Sequence, residues 1–247
     1  MEIGLFKKEK EYTLKPQSKI VVASGARGCG VSFICAFLAD GLKRLGTVAV
    51  SEPGRPYFYN AMSFETKFLY RGFDPFYEKL KNAEQIKSIN NLEGGVNWYA
   101  RKPDDYGTLS PAELFRSLYI PKEEYSIFDC SGLDSELSLQ LLAEADRAVA
   151  VVDPSPVKLF ESRVFLEKLL LKIPDAVIIV NRMNDGVYRN ELNRFLGSRD
   201  YFSMVSVPPE YTYKAEYAGI NIMDIDKVAQ NMRETQDILL GLFKSHL

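Results

Sequence analysis

Short apolar runs recur along this chain, and most are followed by segments in which apolar residues return every three or four positions. The runs Lys19–Ser24, Thr47–Ser51, Tyr125–Asp129, Ala148–Asp153, Ala176–Asn181 and Ser203–Val207 read as strands. Ala148-Val-Ala-Val-Val-Asp153 is apolar up to its closing acid, as expected of a strand covered on both faces. Phe33, Phe37, Leu38 and Leu42 predict a helix over about 31–45, with Gly46 as its C-cap. Ser110-Pro-Ala-Glu113 reads as a helix start, with Ser110 as N-cap, Pro111 at the first helical position and Glu113 completing a capping box. Further helices are expected over about 135–145, 156–171 and 187–196. Ile225, Val228, Ala229, Met232, Leu239 and Phe243 mark a long C-terminal one. A weaker strand, Gly95–Ala100, carries the only tryptophan, Trp98, which reads as core. Strands alternating with helices predict an α/β fold of three layers, a mostly parallel central sheet with helices on both faces. That fold occupies 19–247 as a single domain, after a charged lead-in at 1–18.

Two stretches complicate the pattern. Nine aromatic residues fall between Tyr57 and Tyr77, more than one buried stripe needs. Most read as core-facing positions on two short helices, and some as an exposed partner-binding patch. The C-terminal Ile238–Leu247 is apolar enough for a membrane surface but holds one basic residue, Lys244, so packing on the core is the stronger reading.

Composition removes several function classes. With 31 basic against 33 acidic residues, the net charge is -2, and no global positive field exists to hold nucleic acid. Cys29, Cys35 and Cys130 show neither zinc spacing nor a disulfide framework, which suits a reducing compartment. The first residues lack an apolar signal core, and no run approaches membrane-spanning length, so a cytoplasmic protein is expected. The only histidine is His246, at the end of the chain, which argues against a histidine base or a histidine-ligated metal.

In a parallel sheet, ligands bind beyond the C-terminal ends of the strands. Here those ends carry Gly25–Ser32, Ser51–Arg55, Asp129–Gly132, Asp153 and Asn181–Asp185. The first has the spacing Gly25-x4-Gly30-x-Ser32 of a phosphate-binding P-loop, G-x-x-x-x-G-K-[ST]. Gly25, Gly28 and Gly30 let backbone amides approach a ligand, and the following helix points its free amides at the same spot. The lysine position, however, holds Val31. Ser32 is placed to ligate Mg²⁺, and Asp129 to hold the same ion directly or through water. Gly132 can offer an amide to a terminal phosphate. Asn181 can read adenine with its side-chain amide; Asn184 stands where a guanine-reading aspartate would, so adenine is favoured. Cys29 lies near Arg27 and a helix N-terminus, which favours thiolate, although a small loop filler is the simpler role.

Together these pieces resemble the MinD/ParA group of deviant Walker ATPases over about residues 19–225. Ile127-Phe-Asp-Cys-Ser-Gly132, Ala145–Pro156, Val180-Asn-Arg182, Val205-Ser-Val-Pro-Pro209 and Lys214–Gly219 follow that group's order of motifs. The resemblance implies a P-loop NTPase-like fold with Mg²⁺ and ATP or ADP as cofactors. It places Gly25, Ala26, Arg27, Gly28, Cys29, Gly30, Val31, Ser32, Gly132, Asn181, Arg182 and Pro208 at the nucleotide, and Ser32 and Asp129 at the metal. The departures are specific. Ala26 replaces the group's signature lysine, Val31 replaces the second lysine, and of the acids after strand two only Glu52 is available. Arg27 restores one positive charge. Losing one charge-assisted hydrogen bond costs about 1.5–3 kcal/mol of binding. A single cation is worth roughly 10³–10⁵ in phosphoryl-transfer rate. The expectation is therefore a nucleotide-binding pseudo-ATPase. By resemblance to TadZ/CpaE-like members, it would serve as a localisation or assembly module for a cell-envelope machine, with a protein partner and a homodimer implied. An active ATPase using Arg27 and a nucleotide-free scaffold are the alternatives.

Overall fold

In the computed structural model of the protein, residues 17–105 and 107–244 are described. The first 16 residues of the expected lead-in, and His246, lie outside them. In chain order the elements are β1 (Ser18–Ala23), α1 (Val31–Leu42), β2 (Val48–Ser51), α2 (Phe58–Ala61), α3 (Phe64–Lys67) and α4 (Phe76–Lys81). Then come β3 (Leu92–Glu93), β4 (Val96–Tyr99), α5 (Pro111–Tyr119), β5 (Tyr125–Asp129), α6 (Ser135–Ala143) and β6 (Arg147–Val152). The chain continues with α7 (Pro156–Lys172), β7 (Val177–Met183), α8 (Arg189–Phe195), β8 (Phe202–Val205), α9 (Pro209–Ala218) and α10 (Asp226–Lys244).

The strands form one eight-stranded sheet in the order β3-β4-β2-β5-β1-β6-β7-β8. Every pairing is parallel except β3 with β4, a short antiparallel hairpin at one edge. β1 lies between β5 and β6, so its side chains alternate between two covered faces. Ile20 and Val22 join a core with residues of α1 and α10, whereas Val21 and Ala23 join one with residues of α6 and α7. The result is the three-layer α/β architecture that the alternating pattern predicts.

The capping box at Ser110 forms as read: the Glu113 amide donates to Ser110 Oγ at 3.3 Å, and the Ser110 amide donates to the Glu113 carboxylate at 2.7 Å. Trp98 is buried, between Phe58 and Phe64. The aromatic stretch divides clearly. Phe58, Tyr59, Phe64, Phe68, Phe76 and Tyr77 are buried and Phe73 partly so, which leaves Tyr57 and Tyr70 exposed. It forms three short helices, not two, because Ser63 takes a left-handed φ of 52° and breaks the run between α2 and α3. Gly46 is not the C-cap of α1. That helix ends at Lys43, and Gly46 instead passes so close to Glu124 that an added Cβ would lie 2.3 Å from its carboxylate. At the other end of the chain Leu239, Leu240 and Phe243 are buried in the core, as the packing reading of the C-terminal stripe expects.

Candidate functional site

The glycine loop leaves β1 at Ser24 and enters α1 at Val31. Gly25 is pressed against α7: a Cβ there would lie 2.7 Å from Phe165 Cβ and 2.8 Å from Ser162 Cα. Gly28 and Gly30 have φ of 73° and 94°, backbone that a side chain would strain. Gly30 is the N-cap of α1, and its carbonyl accepts the Ile34 amide at 3.0 Å. The loop thus carries two left-handed positions, the backbone feature from which anion-binding nests of amides are built. Its side chains do not add charge at the helix entry. Ala26, Cys29 and Val31 are buried, so Cys29 fills the loop. Arg27 is exposed and, among the described residues, pairs with no carboxylate.

Two neighbouring strand ends support this loop. Asn181, at the end of β7, donates from Nδ2 to the Cys29 carbonyl at 2.9 Å, while its Oδ1 accepts the Arg182 amide at 2.9 Å. Its amide thus latches the loop, and Gly30 makes room for it, since a Cβ there would lie 2.3 Å from Nδ2. Arg182 adopts a φ of 62°, rare for a residue with a side chain, and pairs with Asp153 at the end of β6 at 2.8 Å. At the end of β5, Asp129 is fully buried. Its Oδ1 accepts the Ser131 amide at 2.7 Å, whereas its Oδ2 makes no hydrogen bond among the described residues. Burial pushes the Asp129 pKa above the ordinary carboxylate range, against the neighbouring Ser32 hydroxyl and the Ser131 donors, which lower it. Ser32 Oγ lies 3.2 Å from Ser131 Oγ.

The loop after β2 is built differently. Glu52 is fully buried and accepts the amides of Tyr57 at 2.8 Å and Phe58 at 3.1 Å, so it anchors the start of α2 from inside. Burial raises its pKa well above the usual value and the Asp129 charge adds to this, partly offset by the amides of Tyr57, Phe58 and Arg101. It lines no part of the cavity described next, and so does not stand where an acid would position water. Arg101 bonds the carbonyls of Pro53 at 3.0 Å and Gly54 at 3.2 Å. Gly54 rests on the β5–α6 loop so closely that a Cβ would lie 2.0 Å from the Ser131 carbonyl oxygen. Beside it, the stem of Arg55 covers Gly132, whose φ is 82°.

These elements enclose a cavity of about 940 Å³. Gly25, Ala26, Arg27, Gly28, Cys29, Gly30, Val31, Ser32, Gly132, Asn181 and Arg182 all line it. Pro208 does not, although its neighbours Val207 and Pro209 do, and Asp129 stands behind the wall formed by Cys130 and Ser131. Its lining carries three arginines, Arg27, Arg55 and Arg182, and apolar residues that include Phe33, Met62, Ala215 and Ile222. The Tyr57 hydroxyl donates to Glu216 of α9 at 3.0 Å, closing the rim. The strand-end reading includes Arg55, within Ser51–Arg55, without a role of its own, and it misses the Asp153–Arg182 pair and the Tyr57–Glu216 bridge. Both missed features are contacts between distant segments.

A mostly parallel sheet with a glycine loop after a central strand and a small-molecule-sized cavity above it is the architecture of a P-loop nucleoside triphosphatase. Among such folds, the chain has that of the ParA/MinD ATPases. A ParA family ATPase from Chlorobium tepidum superposes with a TM-score of 0.71 at 17% identity, covering 93% of this chain and 100% of that one. A plasmid partition protein from Borrelia burgdorferi, bound to AMPPNP, gives 0.69 at 19% identity over 93% and 99% of the two chains. The septum site-determining protein MinD from Pyrococcus horikoshii, complexed with Mg-ADP, gives 0.65 at 15% identity over 92% and 98%. No family model matches the chain, and no curated protein does.

Proposed function

We propose that this protein binds ATP or ADP with Mg²⁺ in the cavity and hydrolyses it slowly or not at all. The observation that carries this reading is the contrast within the glycine loop. Its glycines supply the close packing and positive φ that suit a phosphate-binding loop, while Ala26 and Val31 stand in place of lysines and Glu52 is turned into the core. The site's oxygens suit Mg²⁺, a hard cation that keeps several waters and takes few protein ligands. Ser32 offers a hydroxyl at the cavity wall, and Asp129 keeps one carboxylate oxygen without a hydrogen bond. When bound, the ion would neutralise phosphate charge; the chain's part is to hold the phosphates by loop amides. Arg27 and Gly132 would face the phosphates, and Asn181, Arg182 and the Val207–Pro209 segment would lie toward the adenine, with Pro208 acting only through that segment. The cavity volume falls within the range of roughly 300–1,000 Å³ usual for small-molecule sites.

On this reading the protein is a localisation or assembly module, single-domain over 19–247 and cytoplasmic, that meets a protein partner of a cell-envelope machine and can pair with a second copy. The Borrelia and Pyrococcus structures that carry AMPPNP and Mg-ADP support a nucleotide in this fold. Calorimetry with Mg-ATP and Mg-ADP is the deciding experiment. Binding by wild type with phosphate release at background is expected; absence of binding by both at millimolar concentration leaves the scaffold alternative. Steady phosphate release that Asp129→Ala abolishes would instead favour an active ATPase using Arg27.

A further inference from the structure

The helix α7 is apolar on two opposite faces. Leu159, Phe165, Leu166 and Leu169 are buried against the sheet and α6. On the other side Val157, Phe160, Val164 and Leu171 are 67%, 78%, 61% and 83% exposed. At 3.6 residues per turn these four fall within an arc of about 60°, almost diametrically opposite the buried face, and form a seam roughly 21 Å long. Single exposed apolar residues are ordinary, but an aligned row of four is not. Its period is also telling. Val157, Val164 and Leu171 recur every seven residues, the spacing that keeps a seam facing a partner helix.

We infer that α7 docks antiparallel on α7 of a second copy, about a twofold axis passing at Val164, so that Val157 meets Leu171 of the other copy. The flanking charges fit this arrangement. Glu161 and Lys168 lie on one side of the seam, and Arg163 and Glu167 on the other. In an antiparallel pair each side meets itself. Glu161 then comes level with Lys168 of the second copy, and Arg163 with Glu167, which gives opposite charges on both flanks. Within one copy these groups already make surface pairs, Lys158–Glu161 at 3.0 Å, Arg163–Glu167 at 2.9 Å and Lys168–Glu136 at 3.3 Å, none of which covers the seam. This interface lies across the sheet from α1 and α10, and it needs no nucleotide.

Sedimentation of the full chain without nucleotide tests the inference. Wild type is expected to dimerise at or below about 100 µM, and Val164→Arg to weaken the dimer at least about tenfold while leaving the melting temperature of the monomer unchanged. Lys168→Glu should also weaken it. Glu161→Lys combined with Lys168→Glu should restore it, because the antiparallel pairs are swapped, whereas in a parallel pair both changes create like-charge contacts. A wild-type monomer at that concentration, a dimer indifferent to Val164→Arg, or failure of the double swap would overturn the arrangement. So would a wild-type monomer that instead binds vesicles of anionic lipid through this face.

Discussion

The loop after β1 and the loop after β2 both contribute residues to the lining of one cavity, and each departs from its expected chemistry in its own way. The first keeps its backbone and gives up its charges: Gly25, Gly28 and Gly30 hold the shape, and Val31 fills the lysine position. The second keeps an acid and gives up its exposure: Glu52 is buried, bonded to two amides, and serves the fold. Geometry in the first loop is a property of backbone conformation, so it survives the loss of a side chain. Chemistry in the second needed a carboxylate at the surface, and burial removes that even where the residue type remains.

If the second loop is structural, breaking it should cost stability. Arg101→Ala removes the donor to Pro53 and Gly54, and leaves its partner Asp105 buried, 2% exposed, with one cation fewer. We expect a loss of about 1.5–3 kcal/mol in chemical denaturation, the range for hydrogen bonds of a charged group, because Lys81 still pairs with Asp105. Gly54→Ala should cost roughly 1–3 kcal/mol, since its Cβ meets backbone that cannot move aside; an unchanged midpoint would mean that the loop after β2 does not rest on the β5–α6 loop. The first loop should respond in binding. Val31→Lys is expected to tighten Mg-ATP by about tenfold or more in calorimetry, in line with one charge-assisted bond.

The smallest expected change concerns pH. Glu52 and Asp129 both have folded-state pKa values raised by burial, so the folded protein binds their protons more tightly than the unfolded chain does. Stability is then fully present below the ordinary carboxylate range and is lost as pH rises through the raised values. Glu52→Gln keeps an acceptor for the Tyr57 and Phe58 amides without the charge. It should raise the denaturation midpoint at neutral pH and flatten its dependence on pH; a mutant less stable than wild type at neutral pH would show that the carboxylate is held charged for a reason.

Much of this was legible because it is local. The buried strands announce themselves as apolar runs, the capping box at Ser110 as a four-residue pattern, and the loop as glycines at fixed spacing. What escaped depends on distant partners. α9 was not foreseen because only Ala215 of its residues is buried, so no stripe marks it. The β3–β4 hairpin has only two residues in its first strand. The inward turn of Glu52 requires the amides of α2 and the neighbourhood of Asp129, which no stretch of sequence displays.

The latch formed by Asn181 carries one more consequence. Its amide joins the end of β7 to a loop that precedes it by 152 residues. Nδ2 carries two N–H groups and Oδ1 two lone pairs, so a nucleobase that recruits this amide could take the second of each while the Cys29 carbonyl keeps the first. The loop and any base contact would then share one preoriented side chain, so Asn181→Ala should loosen the loop and weaken base recognition together.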